Sequence, residues 1–276
     1  MKGVKSILVF ALLLSISCQP LKLPEEKYYQ FLFKKDHTYQ NDELQIRLSN
    51  PVMAPLRIWL STSYSPLQEK FDSLNPIVIQ EKQDTLLIFS ELNEFQDDIA
   101  YKISLGDPSK EIENTPIELP FPKGKSYKVI QGNNTNFTHS SDYSRYALDF
   151  KFQVGDTVVS VSDGYVVGVI DQYERGGTDP AWRPYSNFIT IYDQESGRFF
   201  QYVHLKQNGS LVKVGDQISS GQPIGLSGNT GQTTEPHLHF NCLKPVNAEG
   251  EMVSHPVEFV EGYDGKKIKK GDVVRK

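Results

Sequence analysis

Pro236-His237-Leu238-His239-Phe240-Asn241-Cys242 is the stretch that decides how the second half of this chain is read. In an extended strand successive side chains point to opposite faces. His237 and His239 therefore share one face while Leu238 and Phe240 take the other. The segment reads as a β-strand that buries one edge and brings two imidazoles into one small volume. The same alternation fits a surface strand, because imidazole is both a frequent zinc ligand and a common surface group. Cys242 reads either as a buried small strand residue, the more frequent outcome in such a run, or as a nucleophile or metal ligand.

Outward from this stretch, strands dominate. Thr157 to Ser160, Tyr165 to Ile170, Phe188 to Tyr192 and Phe199 to Val203 are β-prone, with glycine-aspartate turns at Gly155-Asp156 and Gly215-Asp216. Between Asp171 and Ser186 lies a long glycine- and proline-bearing insertion containing Trp182, read as an exposed aromatic on a groove wall. Toward the N-terminus, Leu119-Pro120-Phe121-Pro122-Lys123-Gly124-Lys125 has the composition of a linker. Before it, short alternating segments such as Leu44 to Leu48, Leu56 to Leu60 and Thr85 to Phe89 show no helical periodicity and suggest a small β-sandwich. That half contains no chemical constellation, since His37 stands alone, and it reads as a positioning or binding module.

The expected class is thus all-β: a sandwich-like domain over 28–119, a second β domain over 120–260 and a C-terminal tail over 261–276. An apolar fraction of 38% supports packed globular structure, and a net charge of -5 on 276 residues gives no broad basic surface for nucleic acid. Lys2 and Lys5 precede the apolar run Ile7 to Leu14, which suits a secretory signal and is too short for a mature membrane span. The run ends in Ser15-Ile16-Ser17-Cys18, so 1–18 reads as an export signal. It is either of the lipoprotein type, with Cys18 lipidated and 19–27 a tether from the membrane, or an ordinary signal that contains a cysteine. Lipidation would leave Cys242 single, which excludes a disulfide framework.

Asp149 sits in the apolar run Tyr146-Ala147-Leu148-Asp149-Phe150, where a buried unpaired carboxylate is costly, so a cation should face it. That cation is either Zn²⁺, shared with histidine nitrogens and leaving one position for water, or a side chain such as Arg145. His204 ends the strand-like Phe200-Gln201-Tyr202-Val203, from where it either reaches a site built by other strands or is solvated.

Gly155-Asp156-Thr157-Val158, Asp163-Gly164-Tyr165-Val166, Tyr202-Val203-His204-Leu205, Val214-Gly215-Asp216, Gly221-Gln222-Pro223-Ile224-Gly225, Ser227-Gly228-Asn229-Thr230-Gly231 and Pro236-His237-Leu238-His239 follow one another in the order of peptidase family M23. From about residue 136 to 242 the chain resembles this family, the LytM-like or lysostaphin-type peptidases. The resemblance implies a compact, mostly antiparallel β domain, duplicated-hybrid-motif-like, with one zinc in a groove. It implies zinc ligation by Asp149 and His239, with His204 and His237 polarising water and stabilising the oxyanion.

One position departs from the pattern. The family's first ligand, a histidine four residues before the aspartate, is here Arg145, which stays protonated and offers no lone pair. The nearest substitute is His139, which a turn through Ser141 to Ser144 would fold back toward Asp149. The opposing reading is an inactive module with Arg145 in the metal's place, binding cell wall or regulating an amidase. The function expected from the resemblance is zinc-dependent hydrolysis of peptide cross-links in bacterial peptidoglycan. Peptide stems are the expected partner, in the cell envelope and anchored to membrane through the N-terminal lipid.

Overall fold

The structure, a computed structural model, describes residues 22–93, 95, 98–135 and 138–276. Cys18 and the rest of 1–18, read above as an export signal, lie outside the described residues. Among the described residues no helix is long and apolar enough to cross a membrane.

The chain is β-rich throughout, and its largest sheet carries the site. In spatial order that sheet runs Gln217–Ile218, Gly164–Ile170, Phe188–Tyr192, Phe199–Val203, Leu238–Pro245, Leu148–Phe150, Ser126–Gln131 and Val273–Arg275. Met252–Ser254 is added to the far end of Leu238–Pro245, and every neighbouring pair is antiparallel. The alternation read from the sequence is kept. Leu238, Phe240 and Cys242 turn to one face and join a core cluster with Val129, Leu148, Phe150, Ile189, Phe200 and Tyr202. Residues 261–276 are tied in through Val273–Arg275, which pairs with the Ser126–Gln131 strand.

The N-terminal part is built from two three-stranded sheets. Lys34–Gln40, Glu43–Ser49 and Asp84–Phe89 form one; Ile77–Ile79, Leu56–Ser61 and Ala100–Leu105 form the other. Leu44, Ile46 and Leu48 from the first and Ile58, Leu60 and Ile79 from the second share one apolar cluster. A single α-helix, Ser65–Leu74, also feeds this cluster, although the sequence showed no helical period there. Only Leu67 and Phe71 of the helix are buried, and one i,i+4 pair is too short a stripe to register as a 3.6-residue repeat.

The two parts are joined through packing as well as through the chain. Val52, Ala54, Leu56 and Leu105 pack in one cluster with Val167, Tyr192, Phe199 and Leu243 of the large sheet. Arg57, fully buried, donates to the carbonyls of Leu105 (3.1 Å), Glu251 (2.9 Å) and Val246. The segment from Leu23 to Tyr28 lies against the large sheet's long loop. Tyr28 N donates to Tyr173 Oη at 3.1 Å, and Leu23 and Tyr28 pack on Ile170, Tyr173, Trp182 and Tyr185. Trp182 is therefore buried, 7% exposed, where the sequence suggested an exposed aromatic. Its indole is held at Gly177, where even one added carbon would come within 2.5 Å of the ring nitrogen.

Candidate metal centre

Strand pairing places the first two residues of the site. Asp149 and His239 are direct cross-strand partners on the Leu148–Phe150 and Leu238–Pro245 strands, so their side chains leave the same face as neighbours. Their atoms meet at 2.8 Å, His239 Nδ1 to Asp149 Oδ1.

His139 arrives from a loop. The backbone N–H groups of Ser144 and Arg145 both donate to Ser141 O, at 3.1 and 2.9 Å, and Ser144 Oγ donates to Thr138 O at 2.7 Å. This tight turn folds the chain back, so that His139 Nε2 lies 3.3 Å from Asp149 Oδ1 and 3.3 Å from His239 Nδ1. His139 Nδ1 donates to Gly132 O at 2.9 Å, which fixes the ring with Nε2 turned toward the cluster. Arg145 does not enter. Its guanidinium pairs with Asp142 on the exposed side, and its carbonyl accepts from Asn134 N.

His237 and His204 complete the floor. Both donate from Nδ1 to a backbone carbonyl at 2.7 Å, His237 to Glu235 O and His204 to Thr230 O, which commits Nδ1 of each ring and leaves Nε2 for the site. His237 Nε2 is 3.9 Å from Asp149 Oδ2, and the rings of His204 and His237 stand 4.5 Å apart. His204 has φ of 65°, a left-handed conformation unusual for a residue with a side chain, at the point where the Phe199–Val203 strand ends. Such strain persists only where surrounding structure holds it, here the Thr230 hydrogen bond and full burial of the ring.

The electrostatics follow from this crowding. Burial opposes the charge on Asp149, yet hydrogen bonds from His139 and His239 and the nearby imidazoles outweigh it and hold the carboxyl well below its usual range. Burial also pushes His139 down, but the Asp149 carboxylate and the carbonyls of Gly132 and Ala147 outweigh it and leave His139 raised. Burial, then His237 and His239, drive His204 well below 6.5, so it stays neutral. His239 is lowered, first by burial, with Asp149 opposing. Cys242 lies on the opposite strand face, buried and pushed up to about 12 by desolvation, so it is an inert core thiol outside the site.

One ligand atom from each of His139, Asp149 and His239 falls within 4.8 Å of the other two. A tetrahedral zinc with nitrogen and oxygen ligands at about 2.0–2.2 Å spaces them roughly 3.3 Å apart, and two of the three edges here are 3.3 Å. Two imidazoles and a carboxylate form the donor set of a zinc site that keeps a fourth position open. The residues present fit the metal. The groove above them has a volume of about 950 Å³.

Sequence reasoning missed the backbone carbonyls of Gly132, Thr230 and Glu235 that orient three histidines, because a carbonyl carries no side-chain signal. It also missed Tyr143, Lys128, Lys151 and Lys270 on the groove walls, which come together only in the fold.

The floor of the large sheet thus gathers four histidines and a buried aspartate, three of which form a donor set suited to a divalent metal. Residues 143–254 match the model of peptidase family M23. An uncharacterized metalloprotease of Buchnera aphidicola is 33% identical over 132 residues, which cover 47% of this chain and 32% of that one. The peptidoglycan DD-endopeptidase ShyA of Vibrio cholerae is 36% identical over 103 residues, covering 36% and 21%. The chain thus spans a third or less of the length of these relatives. The solved catalytic domain of lysostaphin from Staphylococcus simulans is 26% identical, covers 48% of this chain and 86% of its own, and superposes with a TM-score of 0.34.

Proposed function

We propose that the protein is a zinc-dependent endopeptidase that hydrolyses peptide cross-links of bacterial peptidoglycan. The observation that carries this reading is the triangle of His139 Nε2, Asp149 Oδ1 and His239 Nδ1, three metal-ligating atoms turned toward one another. These three side chains would hold the metal. Bound zinc would supply a water whose pKa falls to about 7 and would polarise the scissile carbonyl.

The remaining steps belong to the chain's own groups. His204 and His237 flank the cluster with Nδ1 committed to backbone carbonyls, so each has one basic nitrogen at a fixed position. A neutral imidazole there accepts the proton of the attacking water, and the protonated ring then donates to the developing oxyanion or the departing amine. We assign these two roles to the pair. The hydrogen bond that His204 Nδ1 donates to Thr230 O fixes that ring before substrate arrives.

The wall peptide is proposed as substrate from the match to family M23 and from the similarity to ShyA, a peptidoglycan DD-endopeptidase. We further propose that the protein works in the cell envelope, exported by residues 1–18 and held to membrane by a lipid on Cys18. Muropeptide release from purified peptidoglycan by the wild type and by His239→Ala tests the reading. Release by the wild type and at least a hundredfold less by the variant is expected; equal release by both contradicts it.

A further inference from the structure

The chain is acidic overall, with a net charge of -5, but its groove is not. Four cationic side chains, Lys128, Lys151, Lys270 and Arg183, line it against two carboxylates, Asp149 and Glu235. Both carboxylates are already engaged, Asp149 by the histidines and Glu235 by Lys151 Nζ at 3.1 Å. Lys128 and Lys270 are exposed and form no ion pair among the described residues.

The fold sets these cations in a defined arrangement. Lys151 N donates to Lys128 O at 2.8 Å, and Gly271 N donates to Val129 O at 2.8 Å, so Lys128, Lys151 and Lys270 leave adjoining segments of one wall. Arg183 stands on the long-loop wall. Its Nε donates to Gln232 Oε1 at 2.6 Å, which orients the guanidinium and leaves its terminal nitrogens without a partner among the described residues. The uncommitted charge facing the groove is therefore entirely positive.

We infer that the groove selects peptides bearing free carboxylates, with Lys128 and Lys270 holding such groups on one side of the reacting centre and Arg183 on the other. This inference rests on the endopeptidase reading and specifies its substrate class as anionic rather than neutral peptide. Lys128, Lys270 and Arg183 act as specificity determinants and take no part in bond cleavage. Complementary charge of this kind steers encounter and discriminates between substrates, and salt screens it.

The test uses the zinc-loaded full chain and two synthetic peptides, a cross-linked stem with free carboxylates and its fully side-chain-amidated counterpart. KM is measured for each, and affinity is measured separately for the already cleaved form of each, which is not turned over. The wild type should prefer the carboxylate form by about tenfold in KM and in affinity, and less at high salt. Lys128→Gln combined with Lys270→Gln should bring the two KM values and the two affinities together, with wild-type zinc content showing that the site still assembles. Equal KM and equal affinity for the two forms in the wild type, or an undiminished preference in the double variant, overturns the inference. Preferential binding without cleavage defeats the endopeptidase reading and leaves this one standing; cleavage without preference does the reverse.

Discussion

At the residue scale, the site turns on which side chain stands where the family pattern has its first histidine. Arg145 occupies that position in sequence, but its guanidinium goes to Asp142 and His139 takes the place beside Asp149. Arg145→Ala should therefore leave the zinc content unchanged and shift stability by no more than about 0.5 kcal/mol, the scale of an exposed ion pair; metal analysis with thermal melting checks both. Much of this was legible in the sequence. Asp149 was marked by a charge in an apolar run and His239 by strand alternation. His139 was named only as the nearest replacement, because loop geometry is not periodic. A second titration reaches beyond the site. His255 donates to Asn114 and is lowered to about 4, first by burial and then by Lys244, Arg198 and Lys266. The unfolded chain protonates this ring near 6.5, so its contribution to stability is complete above that pH and is lost as pH falls toward 4. The melting temperature should drop over that window, and His255→Gln should drop less; parallel curves for the two proteins would contradict the assignment.

At the element scale, the groove wall and the histidine pair share one scaffold. The loop over 171–186 is stitched to 229–234 by parallel pairing of Gly176 with Gly231 and Gly177 with Gln232, and by Thr233 N donating to Gly177 O at 2.9 Å. The same segment supplies the Thr230 carbonyl to His204, and the next residue, Glu235, supplies its carbonyl to His237. Gly231 has φ of 77°, and a Cβ there would lie 1.8 Å from Ser186 Oγ. Gly231→Ala should destabilise the protein by about 2 kcal/mol. It should also lower kcat while zinc remains bound, since the three proposed ligands lie on other segments; loss of zinc in parallel with activity would contradict that separation. The long loop itself was legible as a groove wall, from its length and its glycines. The burial of Trp182 was not, because the residues that cover it, Leu23 and Tyr28, lie far away in sequence.

At the scale of the whole molecule, the N-terminal sheets and the large sheet are coupled by the cluster around Leu56, Leu105, Phe199 and Leu243 and by buried Arg57. Sequence periodicity located strands on both sides but could not show that the boundary is packed, because the contacts join residues far apart in the chain. Arg57→Met would leave the carbonyls of Leu105, Val246 and Glu251 short of a donor and should cost about 3 kcal/mol. Denaturant unfolding measures it, and a cost within error of zero would show that the guanidinium does not hold the two parts together. The account as a whole depends on one divalent ion held between the Asp149 strand, the His239 strand and the His139 loop. The most direct test is metal analysis of the purified full chain beside His139→Ala, both exposed to equal zinc and then dialysed. The wild type should retain about one zinc per chain and the variant almost none, whereas equal retention by the two, or none by either, would contradict the account.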